Sequence, residues 1–420
     1  MTGLAASWVS GAAAFEAAMV PGGICSSYYQ RPGSTELAVR DPEDGSAYHF
    51  ENGGGHWIFG IDALTRRFLA RFSPLETHQR VSAVYFPEAQ RFVSYPLQYH
   101  LGELEPSLAR QAFEEMRRGA ESPLPSTLGG WLERTFGPTL NGLFFRPFHD
   151  LYTAGLTDAI APQDGFKTPV DLKQAERGLE SASEAAGYNI SFLHPSRGLA
   201  HMACAMAEGG CVMYGKRAVS ADLTGQTVEF GDGSGTRFER VVSTLPLDRT
   251  LELCGLELDC APDPYTSVIV LNLGGVKGPK HPPHHWLYVP RSKSGFHRVG
   301  IYSNVSRDFV PGRSVERTSM YIERALPGGS RLPKEDEAAW AESVIEELKA
   351  WGWLAGAEAW SATWIDTAYT WRRPGSGWRE EALELLERRG VVMAGRYACW
   401  KFQGIAESIR DGFIAGAAIK

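Results

Sequence analysis

No apolar run in these 420 residues approaches the roughly 18 that a bilayer span needs, and no basic stretch precedes an apolar one at the N-terminus. These absences predict a cytoplasmic chain with no membrane span. Positive charge is also short, with 42 Lys and Arg against 49 Asp and Glu, a net charge of -7 and no basic cluster. Nucleic acid is thereby excluded as the main partner. The six cysteines, Cys25, Cys204, Cys211, Cys254, Cys260 and Cys399, form no CxxC pair and no zinc-like spacing, so reduced and mostly buried thiols are expected. His281, His284 and His285 sit in a His-Pro-Pro-His-His loop without acidic neighbours, which argues against a metal site. No Ser-His-Asp or Cys-His arrangement stands out, and there is neither an internal repeat nor a low-complexity linker. The segments are therefore expected to fold as one interlocked body, and association with further copies of the chain stays open.

Aromatic side chains are plentiful, at 11% with 12 Trp, which suits a protein that stacks on flat rings. The chain also opens inside a cofactor-binding fingerprint. Thr2-Gly3-Leu4-Ala5-Ala6 reads as the last third of a G-x-G-x-x-G turn running into a small-residue helix. Glu16 then closes a short apolar run, where a carboxylate takes the ribose hydroxyls, and Pro21-Gly22-Gly23 follows. The span from Gly3 to Glu16 is shorter than the roughly 20 residues usual for the motif, so the helix must lose a turn or more. The motif's first strand and first two glycines are missing. That strand is central in a doubly wound sheet. The sequence predicts that residues upstream of Met1 complete it, in preference to another segment filling the slot, a rebuilt sheet or loss of the cofactor.

Two further motifs point the same way. Gly53-Gly54-Gly55-His56 lets backbone approach a flat ligand and puts a histidine beside it. Gly395-Arg396 ends a strand and opens towards a helix, presenting N–H groups and a dipole to a ligand. Between the motifs the pattern predicts a hairpin across Thr35–His49, a helix near 61–73 and a hairpin of 81–86 against 91–95. It then predicts helices from about 97 to 185 and strands over 211–245, with Val241–Pro246 as a buried strand and its exit. Four strands over 266–323 suggest a largely antiparallel second sheet, followed by helices near 335–350 and 377–389, a strand at 391–396 and a helix at 407–419.

In order along the chain, these residues resemble the flavin-dependent amine oxidase and protoporphyrinogen oxidase superfamily, and within it the UDP-galactopyranose mutases. Gly54-Gly55-His56-x-Ile58-Phe59 is similar to the family's flavin-facing turn. Tyr95-Pro96-Leu97-Gln98 resembles the segment whose Tyr and Gln handle the base. Trp286-Leu287-Tyr288-Val289-Pro290, Phe296-His297-Arg298 with Tyr302-Ser303-Asn304, and Asp366-Thr367-Ala368-Tyr369 resemble the segments around the substrate's diphosphate. Gly395-Arg396-Tyr397-x-x-Trp400-Lys401 is similar to the signature at the ribityl side.

The resemblance implies an α/β fold. A Rossmann-like FAD-binding domain, its first strand missing, would comprise residues 1–60, 195–255 and 390–420. A helical substrate-side domain at 97–190 and a mostly antiparallel substrate-binding sheet domain at 61–96 and 256–389 would be inserted into it. It implies FAD held by Gly3, Glu16, Gly22, Gly23, Gly54, Gly55, His56, Gly395, Arg396 and Trp400. It implies a nucleotide-sugar substrate held by Tyr95, Gln98, Tyr288, Arg298, Asn304, Tyr369 and Phe402, with His56, Arg298 and Lys167 as the catalytic groups. The implied reaction is pyranose–furanose interconversion through a sugar adduct at N5 of reduced flavin, with NAD(P)H as a reductant. Three positions depart from the family. Lys167 stands in the segment of a second diphosphate arginine and offers a point charge in place of a fork. Phe402 replaces a Tyr, and His149 replaces an Asn. An FAD-dependent amine oxidase-like or protoporphyrinogen oxidase-like oxidoreductase, and a nucleotide-sugar binder with a degenerate flavin site, are the alternatives.

Overall fold

A computed structural model describes residues 1–121, 123–163, 170–180 and 190–420. The fold is mixed α/β, centred on a seven-stranded sheet ordered Leu354–Thr370, Tyr265–Lys277, Arg317–Pro327, Arg298–Ile301, Trp286–Tyr288, Ser82–Phe86 and Arg91–Ser94. Every neighbouring pair is antiparallel except Trp286–Tyr288 with Ser82–Phe86. Side chains alternate between the faces with period two. Ile269, Leu271 and Leu273 meet Trp340, Ala341, Val344 and Leu348 of the Lys334–Ala350 helix on one face. Val268 and Val270 turn to the other, with Tyr302 and Tyr321. A sheet covered on both faces reads as a nearly continuous apolar run, which is why this region is legible as strand.

The helical region packs Pro106–Gly119 against Leu128–Leu140 around Leu132, Phe136 and Leu140. The second helix breaks at Gly137, whose φ is 70°, just before Pro138. Glu115 compensates by accepting from the Thr139 N–H at 2.8 Å and its hydroxyl at 2.9 Å. A π-helical turn, Asn141–Phe145, then leads into Arg146–Tyr152 and brings Phe144 and Phe148 to the interior.

The Rossmann-like part is present as two parallel pairs of strands, as expected of a doubly wound sheet without its central first strand. Ala14–Phe15 pairs in parallel with Val212–Met213, and Val241–Ser243 pairs in parallel with Val391–Met393, as two separate two-stranded sheets. Val241, Val242 and Ser243, expected to be buried, are half-exposed. The first helix, Thr2–Ser10, lies against the C-terminal helix Ile405–Ala418. A Cβ at Gly412 would stand 2.4 Å from the Thr2 carbonyl oxygen, and one at Gly416 2.5 Å from that of Ala6. Small residues four apart thus set this contact.

Other expectations also change. Leu37–Ala38 and Tyr48–Glu51 form no hairpin with each other; each pairs with Ser27–Gln30, which lies between them. The 17-residue strand Leu354–Thr370 was not foreseen, because its Ala- and Gly-rich first half has weak β-propensity and only long-range pairing with Tyr265–Lys277 fixes it. The strands Leu75–Gln79 and Ser191–Pro195, paired with each other, were likewise missed.

Candidate active site

A cavity of about 320 Å³ opens between the large sheet, the helical region and the start of the C-terminal helix. Its walls are mainly aromatic. Tyr95 and Tyr288 stand 4.4 Å apart, Phe148 meets Tyr288 edge-on at 5.4 Å, and Tyr152 packs on Tyr369 at 4.5 Å and on Trp371 at 5.4 Å. Such walls exclude water while leaving hydroxyls at their rims.

Charge enters through Arg298. Arg298 and Glu323 lie directly opposite one another on adjacent strands, and Arg298 Nη2 donates to Glu323 Oε1. Glu323 is 2% exposed. Burial alone would raise its pKa, but Arg298 and then His297 outweigh that and hold it at about 2. For Arg298 burial works downward, and Glu323 with the neighbouring Tyr369 and Tyr321 keeps its pKa well above the usual value. Its guanidinium also lies 5.8 Å from the centre of the Tyr321 ring. Burial lowers the pKa of His297, whose Nε2 lies 3.6 Å from Glu323 Oε2. Buried polar atoms of the lining residues without a hydrogen-bond partner among the described residues include Arg298 Nε, His297 Nδ1, Trp371 Nε1 and Gln403 Oε1.

The glycine turn lies beside this cavity. A Cβ on Gly55 would fall 2.4 Å from Tyr321 Cε1, so only glycine lets the turn rest on that ring. Gly54 has φ of 76° and approaches Glu323. His56 Nδ1 is 3.0 Å from the Gly54 carbonyl, which only accepts, so Nδ1 carries the hydrogen. Burial pushes the His56 pKa down, leaving a neutral ring.

The first helix has no side-chain N-cap and no acid in its first turn. Gly395 adopts φ of 93°, and a Cβ there would stand 2.7 Å from Thr2 Oγ1. Gly3 faces Thr244, and Gly22, with φ of 107°, faces Ala203. Gly23 also lies at positive φ, 59°. Glu16 ends its strand and accepts from the Ala18 N–H at 2.8 Å. Arg396 donates to the Ala368 and Gln403 carbonyls at 3.0 and 3.3 Å, and its guanidinium lies over the rings of Phe402 at 4.7 Å and Tyr369 at 5.3 Å.

Of the residues singled out in the sequence, Gly55, Tyr95, Tyr288, Arg298, Tyr369 and Phe402 line the cavity, and His149 joins them. Gln98 is buried in the turn Leu97–Tyr99 and is not on the wall. Asn304 is turned away to hold a loop, donating to the Pro282 and His284 carbonyls at 2.9 and 2.7 Å. Trp400 packs into a separate core with Trp378 and donates to the Trp371 carbonyl at 3.1 Å. Lys167 lies outside the described residues. Sequence reasoning missed Glu323 and Arg80. Glu323 carried a signal, a single acid inside the apolar run Met320-Tyr321-Ile322-Glu323-Arg324-Ala325. Arg80, whose Nη2 donates to the Tyr95 carbonyl at 3.2 Å, sits in no motif.

No family model matches the sequence, and no curated protein matches it. Solved structures do. A reduced UDP-galactopyranose mutase superposes with a TM-score of 0.82 at 21% identity, covering 100% of this chain and 93% of that one. A putative protoporphyrinogen oxidase from Exiguobacterium sp. 255-15 gives 0.71 at 14%, covering 100% and 96%. Putrescine oxidase bound to putrescine gives 0.57 at 14%, with the same coverages. The chain therefore has the fold shared by these enzymes. At such identities the likeness speaks for the fold alone.

Proposed function

We propose that the chain is a flavin-dependent nucleotide-sugar mutase that interconverts pyranose and furanose rings, or a close variant acting on another nucleotide sugar. The observation that carries this reading is the gathering of Arg298 with Tyr288, Tyr321 and Tyr369 in one aromatic-walled cavity beside the glycine turn. A diphosphate leaving group needs cationic and hydroxyl donors in a site that excludes water. The cavity is of ligand size.

The residues present fit an FAD. Gly54 and Gly55 let the turn pack directly on Tyr321 beside the cavity, where any Cβ would clash, the first helix has no side-chain N-cap, and Glu16 follows a parallel strand. We assign the glycine turn and His56 to the flavin ring, Gly395 and Arg396 to its ribityl and phosphate side, and Glu16 to the ribose. Bound and reduced, for instance by NAD(P)H, FAD supplies an electron-rich centre for attack at an anomeric carbon. The chain's own groups perform the rest. Glu323 balances the positive charge of Arg298 and fixes its guanidinium in place at the cavity wall. Arg80 adds a second cation at the wall. The hydroxyls of Tyr288 and Tyr369 donate to the diphosphate, and neutral His56 offers Nε2 as an acceptor.

A specific observation favours a second reading. The Arg298–Glu323 pair is internally neutral and the walls are aromatic, as an amine oxidase-like or protoporphyrinogen oxidase-like oxidoreductase would require. Turnover separates the two. Dithionite-reduced, FAD-loaded protein is expected to change the ring size of UDP-galactofuranose or a related nucleotide sugar. Absence of ring interconversion with a panel of nucleotide sugars, combined with flavin reduction by an amine, would transfer the assignment to the second reading.

A further inference from the structure

Behind the glycine turn, away from the cavity, lies a buried carboxylate that forms no ion pair with an arginine or lysine among the described residues. Glu51 ends the strand Tyr48–Glu51 and is 0% exposed. Its main-chain oxygen accepts from Asn272 Nδ2 at 2.9 Å. Its side chain reaches forward instead, and Oε2 accepts from the His56 N–H at 3.3 Å. Among the described residues Oε1 has no hydrogen-bond partner, and neither has Nε2 of His194, which faces it at 3.6 Å.

His194 is 3% exposed and sits on the strand Ser191–Pro195 with Trp57 edge-on at 5.2 Å and Phe309 at 5.6 Å. The same strand bridges to the turn's exit, where Ile58 and Leu193 exchange N–H to carbonyl bonds at 3.0 and 2.9 Å. His49, two residues before Glu51 and so on the same face, is stacked between Tyr29 and Phe309 at 4.9 and 4.8 Å. Burial pushes its pKa to about 4, so it is neutral and cannot balance Glu51.

A carboxylate withdrawn from water is tolerated only if it is paired or protonated. We infer that Glu51 and His194 form a buried ion pair that positions the His56 turn from behind. Glu51 then has two tasks. One oxygen fixes the His56 backbone, and the other locks that backbone to the strand carrying His194. The backbone that carries the His56 ring is thus held by a charge pair outside the cavity lining, while the ring itself is held by the Gly54 carbonyl. Glu51 and His194 are positioning residues. Their role towards the flavin rests on the reading above, but the pair itself does not.

The test is nitrogen-15 NMR of histidine-labelled protein at pH 7, without FAD and again with it. His194 and His56 are assigned from His194→Gln and His56→Gln. In the wild type, both ring nitrogens of His194 are expected to resonate as imidazolium. In Glu51→Gln, an isosteric change, His194 is expected to become neutral and the His56 signals to shift. The FAD dissociation constant is expected to rise about tenfold in that variant. A neutral His194 in the wild type overturns the ion pair without recourse to any variant. His56 signals that do not move in Glu51→Gln overturn the positioning role. If the wild type binds no FAD yet His194 is charged and His56 responds, the pair stands and the flavin reading falls.

Discussion

The two sides of the molecule are built to different standards. Around the cavity, strands of 13, 11 and 17 residues pair along nearly their whole length, and both faces of the sheet are covered. Around Gly3 and Glu16, strands of two or three residues pair singly, and the region is held mainly by one helix packed on another. The contrast shows that the geometry around Arg298 is over-determined by its sheet. The proposed cofactor end instead depends on a few close contacts at glycine.

Substitutions can break this contrast. The largest effect is expected from Glu323→Ala, which leaves Arg298 without its buried counter-ion. A loss of about 3 kcal/mol should appear in urea unfolding, because removing one partner strands the other. On the other side, Gly412→Val drives a side chain into the Thr2 carbonyl, and overpacking of this kind costs about 1–3 kcal/mol. Hydrogen exchange should then quicken in Thr2–Ser10 while Tyr265–Lys277 stays protected. Exchange rising equally in both would erase the distinction.

Acid sharpens it further. The pKa of Glu323 falls from the usual 4.5 to about 2 in the folded protein, so the pair's stabilisation is complete above about pH 4.5 and is lost as pH falls towards 2. Across that window the slope due to this group approaches one proton, about 1.4 kcal/mol per pH unit. Glu323→Gln should remove that part of the slope. The smallest effect is expected from Trp400→Phe, which deletes one hydrogen bond to Trp371 and should cost about 1 kcal/mol without altering FAD affinity.

The same contrast explains what the sequence could reveal. Tyr95, Tyr288, Arg298 and Tyr369 are legible because each sits in a short contiguous motif on a strand or at its end. Glu323 shows in the sequence only as an acid among apolar residues, and its pairing with Arg298 is not legible, because it rests on a register that only the folded sheet defines. Asn304 and Trp400 belong to similar motifs, yet local demands claim them, a loop's carbonyls for one and a tryptophan core for the other. The strand Leu354–Thr370 was illegible for a related reason, since its neighbours and not its own residues make it a strand. The first helix and the short strand before Glu16 are legible, and the split of the parallel strands into two pairs follows from the missing central strand of the motif.

We propose above that the cavity at Arg298 receives a diphosphate leaving group. Calorimetric titration of the folded protein with UDP tests it most directly, comparing the wild type with Arg298→Ala. Binding by the wild type is expected, with at least about tenfold weaker binding by the variant, the usual worth of one charge-assisted contact. Equal affinity in both proteins, or no UDP binding by the wild type, would contradict it.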